Sequence, residues 1–481
     1  MCGIFALINN TFDNPIIKEA FNKGRSRGPE YSNLCFGKVD ASVAFGFHRL
    51  AINGLDDISN QPLIYENCSL ICNGEIYNFR QLAKDMKIKL NTNSDCEIII
   101  HLYTKYGITQ TLNMLDGVFA FVLMDYKKNT IYVARDAYGV RPLFIAKNDK
   151  QFFGFASLMK QLVKLDNSLD VSQFPPGNYM EFKGKYGEDK ANYLPGPIIP
   201  ISSVNHISID TTINTEQRAL QRIRASLEHA VKKRVYNTER DIACLLSGGL
   251  DSSLIASLVS KFYKKNPRNK NKKLHTWSIG LEGSEDLAKA QEVANFIDSH
   301  HHSIVVTEDD LLEAIDKVIY HTETYDTTSV RASVPNWLIS KHIKEYEKKS
   351  DAKVIFNGDG SDEVSGGYLY FHYIKDPLEF DKECKRLLSD IHFFDVLRSD
   401  RSISSHGLEA RTPFLDRNFV QQYLSIPYKL RYHVENNQCE KYLLRKSVEL
   451  HGDKLLPPSV LWRTKEAFSD GVSSEKKSWF S

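Results

Sequence analysis

A cysteine follows the initiator methionine, so removal of Met1 leaves Cys2 carrying both a thiol and a free α-amine. An α-amine has a reference pKa of about 8, so it can take the proton of its own thiol, and nucleophile and base then come from one residue without a histidine. Such a nucleophile needs oxyanion donors and groups that grip an α-amino acid. Asn73-Gly74-Glu75 offers a side-chain amide, an unobstructed backbone N–H and a carboxylate in what reads as one turn. Arg49, in Arg49-Leu50-Ala51-Ile52-Asn53, can hold an α-carboxylate through two parallel hydrogen bonds, and Asp95 can take an α-ammonium.

A second constellation lies far along the chain, in Ser247-Gly248-Gly249-Leu250-Asp251-Ser252-Ser253. Two glycines let the backbone approach a polyanion, the hydroxyls donate to it, and a following helix adds its positive end. The string lacks the lysine of the G-x-x-x-x-G-K-[ST] loop used for γ-phosphate transfer and carries an aspartate instead. That suits pyrophosphate bound with a magnesium ion on Asp251. His300-His301-His302 is not assigned to a metal, because three consecutive strand residues cannot converge on one ion.

The elements that must position these groups differ between the two halves. Up to residue 192 short strand-like runs alternate with glycine and asparagine, among them Ser42–Phe47, Ser69–Cys72, Val118–Met124, Thr130–Ala134 and Leu143–Ala146, with one helical run, Cys96–Tyr106. This texture predicts an α+β domain over 1–192 built on layered antiparallel sheets. Prolines 195, 197 and 200 place a linker over 193–215. A helix follows, with Asn214 and Gln217 as its expected capping pair. Strands then alternate with helices from Ile242–Leu246 to Lys353–Phe356, which predicts an α/β domain over 216–481 with a parallel sheet and a helical tail from Pro377.

The bulk properties narrow the class. A chain of 481 residues exceeds what one core covers. A net charge of +2 argues against a nucleic-acid partner, and no apolar run reaches the roughly 20 residues that span a bilayer. The eight cysteines are scattered, without metal spacing or a disulfide framework, and read as reduced thiols of a cytoplasmic protein.

Cys2-Gly3-Ile4, Arg27-Gly28-Pro29-Glu30, Arg49–Ile52, Asn73–Asn78 and Ala134–Leu143 together resemble the glutaminase domain of amino-terminal-nucleophile amidotransferases. The resemblance implies an αββα sandwich, a glutaminyl thioester on Cys2, an oxyanion hole at Asn73 and Gly74, and a glutamine site at Arg49, Leu50, Ala51, Ile52, Asn53, Asn73, Gly74, Glu75 and Asp95. The Ser247–Ser253 string resembles the loop of ATP pyrophosphatases. Glutaminase followed by this loop is the arrangement of the asparagine synthetase family, which Glu323–Ala332, Gly358–Glu363, Glu409–Asp416 and Arg463–Gly471 also resemble. That implies ATP as a substrate bound at Leu246, Ser247, Gly248, Gly249, Asp251, Ser252, Ile279, Asn357, Gly358 and Lys465, with Mg2+ on Asp251 and Asp362. It implies an aspartate site at Asp286 and Arg331, and a buried route for ammonia. Asp359 stands where the family usually has glutamate, at the position tied to β-aspartyl-adenylate formation. The chain stops at Ser481, where family members commonly continue, and this is expected to affect stability and closure over the nucleotide. L-Glutamine, L-aspartate and ATP are the expected partners, with no membrane; a homodimer is left open. The competing readings are an amidotransferase acting on another carboxylate and a non-catalytic homologue.

Overall fold

Alternating inward and outward side chains build the first half. The computed structural model describes residues 1–37, 42–186, 191–205, 207–346, 350–435, 438–463 and 472. Its strands are β1 (Gly3–Ile8), β2 (Tyr31–Phe36), β3 (Ala44–Arg49), β4 (Leu63–Tyr65), β5 (Cys68–Ile76), β6 (Gly117–Asp125), β7 (Thr130–Arg135), β8 (Phe144–Lys147), β9 (Phe153–Ala156), β10 (Asp170–Gln173), β11 (Asn178–Tyr186) and β12 (Ala191–Pro200). They form two six-stranded sheets, ordered β10-β8-β9-β1-β3-β2 and β12-β11-β7-β6-β5-β4. All the strand pairs within both are antiparallel.

β6 shows why the layers stack as they do. Phe119, Phe121 and Leu123 face a core shared with the helices Phe79–Met86 and Ile98–Met114. Ala120, Val122 and Met124, one residue out of phase, face Ile4, Phe45, Phe47 and Phe155 of the other sheet. A strand buried on both faces reads as a continuous apolar run. A third core lies between the first sheet and the helices Asn14–Asn22 and Met159–Val163. The order is helix, sheet, sheet, helix, which is the expected αββα sandwich.

Two boundaries differ from the sequence reading. Residues 193–200, assigned to a linker from their prolines, belong to β12, which pairs only with β11 at the sheet edge. An edge strand has a free side where a missing N–H costs nothing. The following helix, Glu216–Tyr236, is capped by Thr215 accepting from the Arg218 N–H, in place of Asn214.

The chain divides into two compact units, residues 1–206 with 404–408 and residues 207–403 with 409–481. The second holds β13 (Asp241–Leu245), β14 (His275–Leu281), β15 (His300–Val306), β16 (Ala352–Phe356) and β17 (Glu409–Arg411). They form one parallel sheet, ordered β15-β14-β13-β16-β17. β17 lies within the tail that the sequence predicts to be helical. Its charges are buried as a pair, Arg411 Nε lying 3.0 Å from Glu409 Oε1, and Arg411 also donates to the Asn237 carbonyl at 2.9 Å. The rest of that tail is largely helical, as at Pro377–Asp390, Arg417–Ser425 and Tyr442–Val448. Among the described residues no helix is long and apolar enough to cross a membrane. All eight cysteines are free thiols.

Candidate active sites

In the first unit three strands carry their inward alternation past the end of the apolar core. β1 and β3 pair with Gly3 opposite His48, and Ile4 and Phe47 face the inter-sheet core. The period of two carries Cys2 and Arg49 onto that same face. On β5, Ile71 faces this core, so Asn73 and Glu75 follow it. The polar end of the layer thus collects a thiol, a guanidinium, an amide and a carboxylate.

Each group is held. The Cys2 carbonyl accepts from Arg27 Nε at 2.9 Å, and its thiol lies 3.5 Å from the Leu50 carbonyl. Arg49 donates to the Asp56 carbonyl at 2.8 Å and to Asn60 Oδ1 at 2.6 Å. The Ala51 N–H donates to Glu30 at 2.6 Å, Asn53 Nδ2 to Glu75 Oε2 at 2.9 Å, and the Ile76 N–H to Asp95. Leu50 and Ile52 are buried between these contacts. Asn73 Nδ2 differs: it is buried and bonds to no group of the protein among the described residues. A buried donor in that state costs about 1–3 kcal/mol, which a ligand acceptor recovers.

The predicted turn at Asn73-Gly74-Glu75 is a strand, with Asn73 opposite Ala120, Gly74 opposite Phe119 and Glu75 opposite Val118. Long-range pairing overrides the local turn preference of Asn-Gly. A Cβ on Gly74 would come within 2.8 Å of the Val118 carbonyl oxygen, so this position stays glycine for space. Met1 is buried and its amine donates to the Leu408 carbonyl at 3.0 Å. While Met1 is attached, the Cys2 nitrogen is an amide and cannot act as a base.

In the second unit a cavity of about 850 Å3 opens where β13, β14 and β16 end. This is the carboxyl edge at which parallel sheets bind ligands. Leu246, Ser247, Gly249, Asp251 and Ser252 line it, together with Ile279, Asp286, Arg331, Asn357, Gly358, Asp359 and Asp362. The loop is tied by its own hydroxyls, with Ser247 Oγ and Ser252 Oγ 2.9 Å apart. Gly248 lies outside the lining and has φ +78°; a Cβ there would stand 2.5 Å from Lys289 Cβ and 2.7 Å from the Ala290 nitrogen. Gly248→Ala is expected to lower stability by about 1–3 kcal/mol and weaken nucleotide binding in parallel. Urea unfolding and ATP titration check this; wild-type values for both would show that the turn yields. Lys465 lies outside the described residues.

Lys441 is a cavity residue that the sequence reading does not name. Lys441, buried, bridges Asp251 and Asp362, its Nζ lying 2.8 Å from Asp362 Oδ1. Burial disfavours its ammonium, but the two carboxylates outweigh that and hold its proton above the ordinary lysine range. It sits in Glu440-Lys441-Tyr442 with φ +61°, and nothing in that string signals chemistry. Asp286 is also engaged, by Arg463 at 3.0 Å.

The model of a glutamine amidotransferase domain family matches residues 1–193, and that of the asparagine synthase family matches residues 222–378 and 374–479. The chain is 42% identical to the glutamine-hydrolysing asparagine synthetase of Gallus gallus over 503 residues, covering 100% of this chain and 86% of that protein. Against the Homo sapiens enzyme the identity is 41% over 506 residues, with the same coverage.

The chain belongs to the glutamine-hydrolysing asparagine synthetase family.

As an asparagine synthetase it is a ligase that forms asparagine in a glutamine-dependent reaction, with ATP as a substrate of its family. Asp359 is held on two sides in the same cavity. Asn357 Nδ2 donates to Asp359 Oδ2 at 2.7 Å, and Arg398 Nη2 lies 3.5 Å from Oδ1. Burial pushes its carboxyl up to about 6 against the pull of Arg398, and Asp395 and Asp251 push the same way. Glu363, which accepts from the Tyr368 hydroxyl, is likewise raised by burial and by Asp395 and Asp362.

The pH consequence has a definite sign. The folded asparagine synthetase keeps the Asp359 proton to about 6, whereas an unfolded chain releases it near 3.8. Stability from this group is therefore present at low pH and lost as pH rises between those values. Asp359→Asn has no proton to release, so its Tm relative to the parent rises between about pH 4 and about pH 6. A Tm difference that does not change with pH would show that Asp359 ionises normally.

Proposed function

We propose that the two sites divide the synthesis of asparagine as follows. In the first, the Cys2 α-amine, freed of Met1, takes the thiol proton, and the thiolate attacks the side-chain amide of glutamine. Asn73 Nδ2 and the Gly74 N–H donate to the oxyanion, while Arg49 holds the α-carboxylate and Asp95 and Glu75 the α-ammonium. Ammonia leaves and water releases glutamate from the thioester. The single observation that carries this reading is the buried Asn73 amide, which finds no protein acceptor among the described residues.

In the second, the Ser247–Ser252 loop and the amino end of the helix Leu250–Lys265 receive the phosphates of ATP. Leu246 and Ile279 flank the adenosine, Asn357 and Gly358 approach it from β16, and Asp286 and Arg331 orient aspartate. The aspartate side-chain carboxylate attacks the α-phosphate, pyrophosphate departs, and ammonia displaces AMP. Asp359 takes part near the adenylate, and Lys465 reaches the phosphates. Asp251 and Asp362 suit a magnesium ion, since both carboxylates already converge on one cationic atom, Lys441 Nζ. A magnesium ion held by these two carboxylates would supply charge neutralisation for pyrophosphate. The first compact unit acts as the glutaminase and the second as the synthetase of a cytoplasmic enzyme.

Pyrophosphate release in the presence of ATP, glutamine and a panel of carboxylic acids tests the reading. Aspartate is expected to support release and asparagine formation. Release with a different carboxylate, and none with aspartate, would assign the second site another acceptor.

A further inference from the structure

At the edge of the parallel sheet away from the cavity, His275 opens β14 and His300 opens β15, and the two are in register, as are Trp277 and His302. Strand alternation sends His301 to the opposite face, where its ring nitrogens lie 3.0 Å from Thr276 Oγ1 and 3.0 Å from Ser278 Oγ. His300 and His302 share the other face, and the neighbouring strand adds His275. Three consecutive histidines cannot converge on one ion, but two alternate ones joined by a cross-strand third do. His275 Nδ1 and His302 Nε2 are 2.9 Å apart, and one ring nitrogen from each of the three lies within 4.8 Å of the other two.

The surroundings suit a ligand set. The His302 ring stacks on Trp277, with centroids 4.0 Å apart, and meets Tyr346 at 4.7 Å, which restrains its orientation. His275 and His302 are half-buried and His300 is exposed, which leaves a way in for an ion.

We propose that His275, His300 and His302 bind one divalent transition-metal ion of the zinc class through three imidazole nitrogens. Zn–N bonds of about 2.0–2.1 Å place tetrahedral ligand nitrogens about 3.3 Å apart. The His275–His302 pair is already near that spacing, and rotation of the exposed His300 closes the remainder. Imidazole ligands select zinc, cobalt, nickel or copper over magnesium, which takes oxygen ligands. The fourth position is open to water. The site is separate from the acidic nucleotide cavity, yet Trp277 both lines that cavity and stacks on His302, so occupancy has an optical reporter.

Cobalt(II) titration of the full-length protein in excess magnesium tests this, with visible absorption and tryptophan fluorescence as readouts. One equivalent is expected to give the intense absorption of four-coordinate cobalt and to quench part of the fluorescence, and zinc is expected to reverse both. His300→Ala, at an exposed position that tolerates truncation, and His302→Asn are expected to weaken binding by at least about tenfold. His229→Ala, outside the cluster, is expected to leave it unchanged. Zinc is also expected to raise the Tm of the parent and to leave that of His300→Ala where it was. Weak octahedral cobalt absorption in the parent would overturn the proposal, as would equal affinity in parent and His300→Ala.

Discussion

Cys2→Ala is expected to lower glutamine-dependent asparagine formation by at least about three orders of magnitude and to leave ammonium-dependent formation within about twofold of the parent. The reason is the division of labour. Cys2 lies at the polar end of the inter-sheet core of the first unit, and among the described residues none of that unit lines the cavity of the second. Alanine removes the thiol proposed to form the thioester, while the contacts of the Cys2 backbone remain, including acceptance from Arg27 Nε at 2.9 Å. Free ammonia then bypasses the lost step. Glutamate release with glutamine, and asparagine yield with ammonium, are the paired measurements. Collapse of both in a folded variant would mean that the sites do not act separately.

Asp251→Asn is expected to show the reverse pattern, with adenylation reduced by roughly two to three orders of magnitude and glutamine hydrolysis intact. Asp251 accepts from Ser361 Oγ at 2.8 Å and pairs with Lys441, so its carboxylate is fixed in place before any nucleotide arrives. Asparagine is nearly the same size and fills the same space, so the change is one of charge. It leaves the buried Lys441 with Asp362 as its remaining partner of the two, 2.8 Å away. A buried ammonium that loses one of two carboxylates keeps its proton less firmly, and the magnesium ion proposed for this site would lose a ligand. Aspartate-dependent exchange between pyrophosphate and ATP reports the adenylate directly. Exchange at the parent rate would remove Asp251 from the reacting site.

Much of this was legible in the residues themselves. The αββα layers follow from apolar runs buried on both faces, as in Val118–Met124, and the parallel sheet follows from strands alternating with helices. Cys2, Asn73 and the Ser247–Ser252 loop could be named because their chemistry depends on residue type and local spacing. Other features depend on which distant segments meet, and no local pattern encodes that. Asn73-Gly74 reads as a turn until β6 pairs with it. Glu409–Arg411 reads as polar tail until β16 supplies its hydrogen bonds. Lys441 lies 190 residues from Asp251 in the chain, and only the fold makes it the counter-charge of the phosphate loop. The histidine triad is the same case: the sequence alone argues against His300-His301-His302 as one ligand set, and His275 joins His300 and His302 only through the register of two parallel strands. Covalent neighbours determine which groups can react, whereas long-range pairing determines which charges and lone pairs share a space, because it alone sets their distances.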